Sequence, residues 1–339
     1  MSAPARIRLV DVAREAIDFE TPASRILNGY PGLAVRPETR RRVLGAAQRL
    51  HYEPHAAARG LRRAATGAIG LLIPNLTMPV YSRIIRGAVK RALERDVAVL
   101  LYEDESPLDS DRTFAQLVRT GRIDGMLVAS ALPDHPLVGS LLESRIPHVF
   151  LNRGVPGSGR SVTMDDTRAS VAALDHLHSL GHRRIGLVAG PRGNDPAERR
   201  ALGFRRHAAE LGLELAPVAD DGDFTEAGGV QLTGELLRRH KGLTAITTGG
   251  LSQAVGALHT AWELGLAVPR DLSVVSFDDL SLAEYLRPPL TTVRMPLDRL
   301  GAAGVDALVD QLLGGEPCDV VVETRAEMVV RASTASPAA

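Results

Sequence analysis

One cysteine in 339 residues, Cys318, leaves no partner for an internal disulfide, and no ligand-spaced histidines or cysteines surround it. A disulfide-stapled secreted scaffold and a structural zinc site are excluded, and a reducing cytoplasm is the expected setting. No run of about eighteen apolar residues occurs, so no membrane-spanning helix is expected. Residues 1–8 are short and basic without the apolar stretch of a signal peptide. No P-loop or dinucleotide fingerprint follows the first apolar strand. His176 and His178 are spaced i,i+2 on a helix and face different ways, which suits neither a metal pair nor a catalytic one. The chain therefore reads as no enzyme, with no cofactor and no metal.

The formal net charge is also zero, but it is unevenly placed. Residues 1–66 carry twelve arginines against six acidic residues, and the rest of the chain holds the compensating acidic excess. A small basic module on an acidic body is one reading, and chance in an Arg-rich composition is the other. Arginine suits phosphate contacts because its guanidinium makes paired hydrogen bonds.

Three short helices are expected in the basic part. Residues 9–17 put Leu9, Val12, Ala13 and Ala16 on one face. A break at Asp18-Phe19 precedes a second helix over about 20–27, closed by Asn28-Gly29. A third starts after Arg36-Pro37 and is expected to bury Val43, Leu44, Ala47 and Leu50. Residues 54–66 form a linker with helical propensity but no apolar face. From Gly67 onward short apolar strands alternate with helices, including strands over 68–73, 97–102, 125–129, 148–151, 185–189, 244–247 and 273–277. Such alternation implies parallel sheets covered on both faces, and the number of units requires two doubly wound lobes. Ligands of such lobes sit at the carboxyl ends of the strands, between the lobes. Trp262, beside Leu258 and Leu266 on a helix, is expected in the core.

Ordered motifs then carry a family resemblance. Asp11-Val12-Ala13-Arg14-Glu15-Ala16 with Ser24-Arg25-Ile26-Leu27-Asn28-Gly29 resembles the DNA-binding head of the lactose repressor/galactose repressor (LacI/GalR) family. Leu50-His51-Tyr52-Glu53-Pro54 continues it, and Ala58-Arg59-Gly60-Leu61 looks like its hinge helix. Gly181-His182-Arg183-Arg184-Ile185, Ser273-Val274-Val275-Ser276-Phe277-Asp278-Asp279 and Arg287-Pro288-Pro289-Leu290-Thr291-Thr292-Val293 resemble its sensor domain. The resemblance implies a periplasmic-binding-protein-like α/β sensor of two doubly wound parallel-sheet lobes, with a small all-α helix-turn-helix head. It also implies domain limits: 1–53 for the head, 54–66 for the hinge, 67–164 plus 294–323 for the first lobe, and 165–293 plus 324–333 for the second.

For the head, the resemblance places Glu20, Thr21 and Arg25 at base-reading positions, with Asn28 and Arg40 also toward DNA. Arg25 would contact guanine through its fork, or it is a solvated helix charge. Leu61 and Ala58 match the hinge positions where a leucine wedges into the minor groove; otherwise Leu61 packs on the sensor. Four departures stand out: Ile17 at the turn glycine, Asp18 at a small core position, Pro22 inside the reading helix, and Arg8 where a hydroxyl would cap the first helix. They point to an altered operator or weakened DNA binding.

For the cleft, the family positions fall on Asn75, Tyr81, Asn152, Arg200 and Asp278. Arg200 would hold hydroxyls or a carboxylate, and Asp278 would accept two hydroxyls or else cap the following helix. Where the family has Asn-Asp, this chain has Gly250-Leu251, so the effector is less hydroxylated than a sugar or the pocket is reshaped. The expected partners are double-stranded operator DNA, a small-molecule effector and a second copy in a homodimer, with no membrane. The expected function is a repressor whose operator affinity the effector controls; the alternative has lost or changed its sensing. A transport-binding protein would need a signal peptide and no basic head.

Overall fold

The computed structural model describes residues 7–16, 20–27, 33–52, 66–104, 116–130, 135–323 and 325–338. The chain divides into two compact units, residues 1–67 and 68–339.

The first unit contains α1 (Leu9–Ala16), α2 (Glu20–Leu27) and α3 (Pro37–Arg49). Their cores meet through Val12, Ala13, Ala16, Ala23, Ile26, Val43, Ala46 and Ala47. Small side chains at the contact let three short helices approach closely, and Leu9, Leu27, Leu50 and Tyr52 seal the edges. Leu44, expected in this core, is 44% exposed. Its place is taken by Ala46, because the buried stripe of α3 runs 43, 46, 47 and leaves 44 on the outer face. Pro22 falls at the third position of α2, within the first turn, where its missing N–H is harmless. The hydroxyl cap on α1 is absent, and only the reciprocal half of a capping box is formed: Asp11 accepts from the Arg8 backbone N–H at 2.8 Å.

The second unit holds two six-stranded sheets. In chain order its named elements are β1 (Ala68–Ile73), α4 (Pro79–Glu94), β2 (Ala98–Glu103), β3 (Gly125–Val128), α5 (Pro136–Glu143), β4 (His148–Leu151) and β5 (Ser161–Met164). Then come α6 (Asp166–Ser179), β6 (Ile185–Val188), α7 (Asp195–Glu210), β7 (Val218–Ala219), α8 (Glu226–Arg239), β8 (Ala245–Thr248) and α9 (Leu251–Glu263). The series closes with β9 (Ser273–Phe277), α10 (Leu282–Tyr285), β10 (Thr291–Arg294), α11 (Leu297–Leu312), β11 (Val320–Val322) and β12 (Glu327–Val329).

One sheet runs β2-β1-β3-β4-β5-β11, all parallel; the other runs β7-β6-β8-β9-β10-β12, parallel except for β12. The central strands are buried on both faces, which is why β3 and β6 read as unbroken apolar runs and β9 admits only two serines. The chain passes between the sheets three times: from β5 to α6, from β10 to α11, and from β11 to β12. Helices cross at glycine contacts. An added Cβ at Gly87 of α4 would lie 2.0 Å from the Asp298 carbonyl oxygen of α11, and one at Gly301 equally close to that of Ile84. Gly229 and Gly256 do the same between α8 and α9, so no larger residue fits without moving a helix.

Trp262, expected in the core, is 75% exposed; Leu258 and Leu266 on either side of it are only partly buried. The helix presents its small residues Ala254, Ala257 and Ala261 inward, and the indole is left outside. Among the described residues no helix is long and apolar enough to cross a membrane, and no cluster of potential metal ligands occurs.

Candidate functional site

Asn152 follows β4 with φ +63°, and Asp278 follows β9 with φ +69°. Each terminates a buried strand of a different sheet, at the end where doubly wound lobes take ligands. The left-handed conformation costs roughly 1–2 kcal/mol for a residue with a Cβ, and Asn and Asp bear it best. Strain held at matching points of two lobes is characteristic of a functional cleft.

Tyr81, in the first turn of α4, is buried and donates its hydroxyl to the Ala129 carbonyl oxygen at 3.3 Å, just beyond β3. Burial raises its pKa; Arg153 and a hydrogen bond with Asn152 act against the rise, and Asp278 and Arg200 also reach it. Tyr81, Asn152, Arg200 and Asp278 are thus brought together from both lobes.

Arg200 stands in the middle of α7, buried. Its Nε donates to Asp166 Oδ1 at 2.8 Å, its Nη1 donates to the Gly249 carbonyl oxygen, and its guanidinium lies 4.5 Å from the Phe277 ring centroid. Burial opposes its charge, but Asp166 and Asp278 outweigh that and raise the pKa. Asp166, fully buried at the start of α6, also accepts from Arg199 Nη2 at 2.7 Å, so one carboxylate anchors two arginines.

Asp278 Oδ1 lies 4.0 Å from Arg200 Nη2 and has no hydrogen-bond partner among the described residues. Burial pushes its pKa up to about 6, with Arg200 pulling the other way. It does not cap the next helix, whose N-cap position is Ser281. Its neighbour Asp279 points elsewhere, into a bracket of Arg331 at 2.7 Å, Thr292 at 2.8 Å and Arg294 at 2.9 Å.

Among the described residues Asn75 bonds locally rather than to this cluster. Its Oδ1 accepts from the Thr77 backbone N–H at 2.7 Å and the Thr77 hydroxyl at 2.6 Å, closing a local turn before α4.

Several residues that sequence reasoning missed belong to the same region. Ser130 Oγ, Arg153 Nε and Gln253 Oε1 are buried without a hydrogen-bond partner among the described residues, as is Asn152 Oδ1. Phe224 lies over the backbone of Gly190 and Gly249: an added Cβ would approach its ring to 2.2 Å at the first and 2.9 Å at the second. Gly250 serves as the extended N-cap of α9 and Leu251 is buried, so a ring and glycine backbone occupy the place of the polar Asn-Asp pair. The pairing of Phe224 with glycines at the ends of two strands was the available signal.

In the head, Arg25 on α2 and Arg40, Arg41 and Arg42 on α3 are exposed. The backbones of Glu20 and Thr21 open α2. Their side chains, Ile17, Asp18, Asn28, Ala58 and Leu61 lie outside the described residues.

A sensor of two parallel-sheet lobes with a polar cleft, on a chain that begins with a basic three-helix head, defines the class of one-component DNA-binding regulators. Residues 174–334 match the family model described as a periplasmic binding protein-like domain. An uncharacterized HTH-type transcriptional regulator of Streptomyces limosus is 37% identical, over 98% of this chain and 95% of that relative. Among solved structures, a complex of the regulator CelR with cellobiose matches at 30% identity and TM-score 0.73, over 97% of this chain and 100% of that one. The lac repressor dimer bound to operator and the anti-inducer ONPF matches at 25% identity and TM-score 0.84, over 97% and 99%. The chain belongs to the LacI/GalR family of transcription regulators, which are not enzymes.

Proposed function

We propose that this chain is a cytoplasmic homodimeric repressor whose operator affinity is set by a small molecule held between its lobes. The observation that carries the reading is the set of buried polar atoms at the cleft without partners, Asn152 Oδ1, Ser130 Oγ and Asp278 Oδ1. Leaving such groups unmet costs about 1–3 kcal/mol each, and a bound ligand removes that cost. Tyr81, Asn152, Arg200 and Asp278 are its polar contacts, Phe224 its stacking surface, and Asn75 sets the turn before Tyr81. The bonded Arg200–Asp166 frame supports retained sensing over a regulator that has lost it.

In the head, Glu20, Thr21 and Arg25 meet base edges, Asn28 and Arg40 meet the DNA, and the 54–66 hinge carries Ala58 and Leu61 into the minor groove. The head occupies 1–53 and the lobes 67–164 plus 294–323 and 165–293 plus 324–333. A second copy covers the exposed apolar surface of Trp262, Tyr285 and Leu282 beside Leu258 and Leu286. Reading a palindrome requires that second copy.

The test is thermal unfolding of the full chain against a metabolite panel, with gel shifts on operator DNA. A ligand that raises the melting temperature should change operator affinity in the parent. In Arg200→Ala the ligand response should vanish while ligand-independent DNA binding stays. A variant that still responds to the ligand would refute the assignment of Arg200.

A further inference from the structure

Arg153 follows Asn152 at the mouth of β4 and is only 5% exposed. Its guanidinium makes no hydrogen bond or ion pair with any described residue, and its Nε is fully buried without a partner. Burial lowers its pKa; Tyr81 and Asp104 act against that, and Arg199 adds to it. The next residue, Gly154, donates its backbone N–H to Asp195 of the second lobe, so Arg153 stands where the two lobes meet.

Two carboxylates of the second lobe are bonded to other groups. Asp166 serves Arg199 and Arg200. Asp195 pairs with Arg199 and accepts from the Gly154 backbone N–H at 2.6 Å. Asp104, whose charge acts on Arg153, has its Oδ2 3.2 Å from His135 Nε2 without a hydrogen bond to it. Asp278 Oδ1 lies 4.0 Å from Arg200 Nη2. The strand register aligns the neighbouring ends: Val128 pairs with Phe150, which brings Ser130 level with Asn152. A hydroxyl, a carboxamide and a guanidinium, all buried and incompletely paired, thus stand at adjoining strand ends.

A buried guanidinium to which no described carboxylate is bonded is destabilising, and its rigid fork matches a carboxylate or a phosphate in two parallel hydrogen bonds. We propose that the effector of this regulator carries an oxyanion, a carboxylate or a phosphate monoester, and that Arg153 receives it, with Ser130 as an added donor. The inference rests on the effector reading of the cleft and specifies its ligand.

Arg153→Met and Arg153→Lys in the full chain test it. Without ligand, Arg153→Met should melt above the parent, because a buried unpaired charge is replaced by a side chain of similar volume. A lower melting temperature would assign Arg153 a structural role and overturn the inference. With ligand, calorimetry and thermal unfolding use four probes: cellobiose, gluconate, glucose 6-phosphate and inorganic phosphate. The oxyanions should stabilise the parent, bind Arg153→Met roughly a hundredfold more weakly, and retain part of their affinity for Arg153→Lys. Gluconate against glucose 6-phosphate separates the carboxylate from the phosphate source. Cellobiose protecting parent and Arg153→Met alike, with no oxyanion active, would overturn the inference and leave the sensing reading standing. No protection by any probe would count against both.

Discussion

The first lobe ends its cleft wall in Ser130, Asn152 and Arg153, each with a buried polar atom that lacks a hydrogen-bond partner among the described residues. The second lobe ties Arg199, Arg200, Asp166 and Asp195 into one bonded network. The two walls share a topology and a left-handed residue at a strand end, and each holds a buried polar atom without a hydrogen-bond partner among the described residues, Asp278 Oδ1 in the second, but only the second is braced by ion pairs. The second wall acts as a preorganised frame, because its charges keep their positions without ligand. The Asp195–Gly154 hydrogen bond joins them, so filling one wall bears directly on how the lobes close.

Breaking the frame should have the largest effect. Asp166→Ala leaves Arg200 buried beside an emptied site, and removing one member of a buried ion pair costs about 3–5 kcal/mol. Denaturant unfolding should show that loss, and an unchanged midpoint would mean the two walls do not differ as described.

Asp278 gives a smaller effect of opposite sign. Its folded pKa is raised from 3.8 to about 6, so the folded state holds the proton more tightly than the unfolded chain. Its contribution is therefore lost as pH rises from about 4 through about 6, and its ionised form costs roughly 3 kcal/mol at pH 7.5. Asp278→Asn should be more stable than the parent at that pH. His182 and His176, whose pKa values burial lowers from 6.5, act the other way: their contribution is present above 6.5 and lost as pH falls through the lower folded values. Between pH 5 and 7 the two effects oppose each other in the parent. In Asp278→Asn one opposing slope is removed, so stability should rise more steeply with pH, or fall less, than in the parent; an unchanged pH profile would contradict the raised pKa.

Phe224→Ala sharpens the comparison on the ligand side. The half-buried ring rests on Gly190 and Gly249, so its loss should lower stability by only about 1–2 kcal/mol while weakening any stabilising ligand about tenfold. Equal affinity in parent and variant would remove the ring from the site. The smallest effect belongs to the head: Arg40→Ala should reduce the slope of log affinity against log salt by about one, across all DNA sequences.

Much of this architecture was legible in residue order. Apolar runs such as Ile69-Gly70-Leu71-Leu72-Ile73 are buried on both sides and announce themselves. The weak elements did not: β5 and β10 are rich in Ser and Thr, and β7 has two residues, so neither period nor propensity marks them. Helix α11 has a clear apolar stripe, but its packing on α4 from more than 200 residues away follows from the crossings between sheets. In the cleft, Arg200 and Asp278 were reached through the family resemblance. Asp166 was not, because a buried acid at a helix start looks in sequence like an ordinary N-terminal carboxylate. Arg153 looks like a loop charge until its burial is seen. Leu44 and Trp262 failed for one reason: a helix with enough alanine packs its small side chains inward and leaves the large ones out.

The most direct test of the account is selection of random DNA duplexes by the full chain, followed by affinity measurements on the enriched sequence with parent, Arg25→Ala and a chain lacking residues 1–66. The account predicts an enriched palindrome, a loss of about 1–3 kcal/mol in Arg25→Ala confined to the base pair it reads, and no specific binding by the truncated chain. Failure to enrich any sequence, or equal affinity for it by the chain without its head, would contradict it.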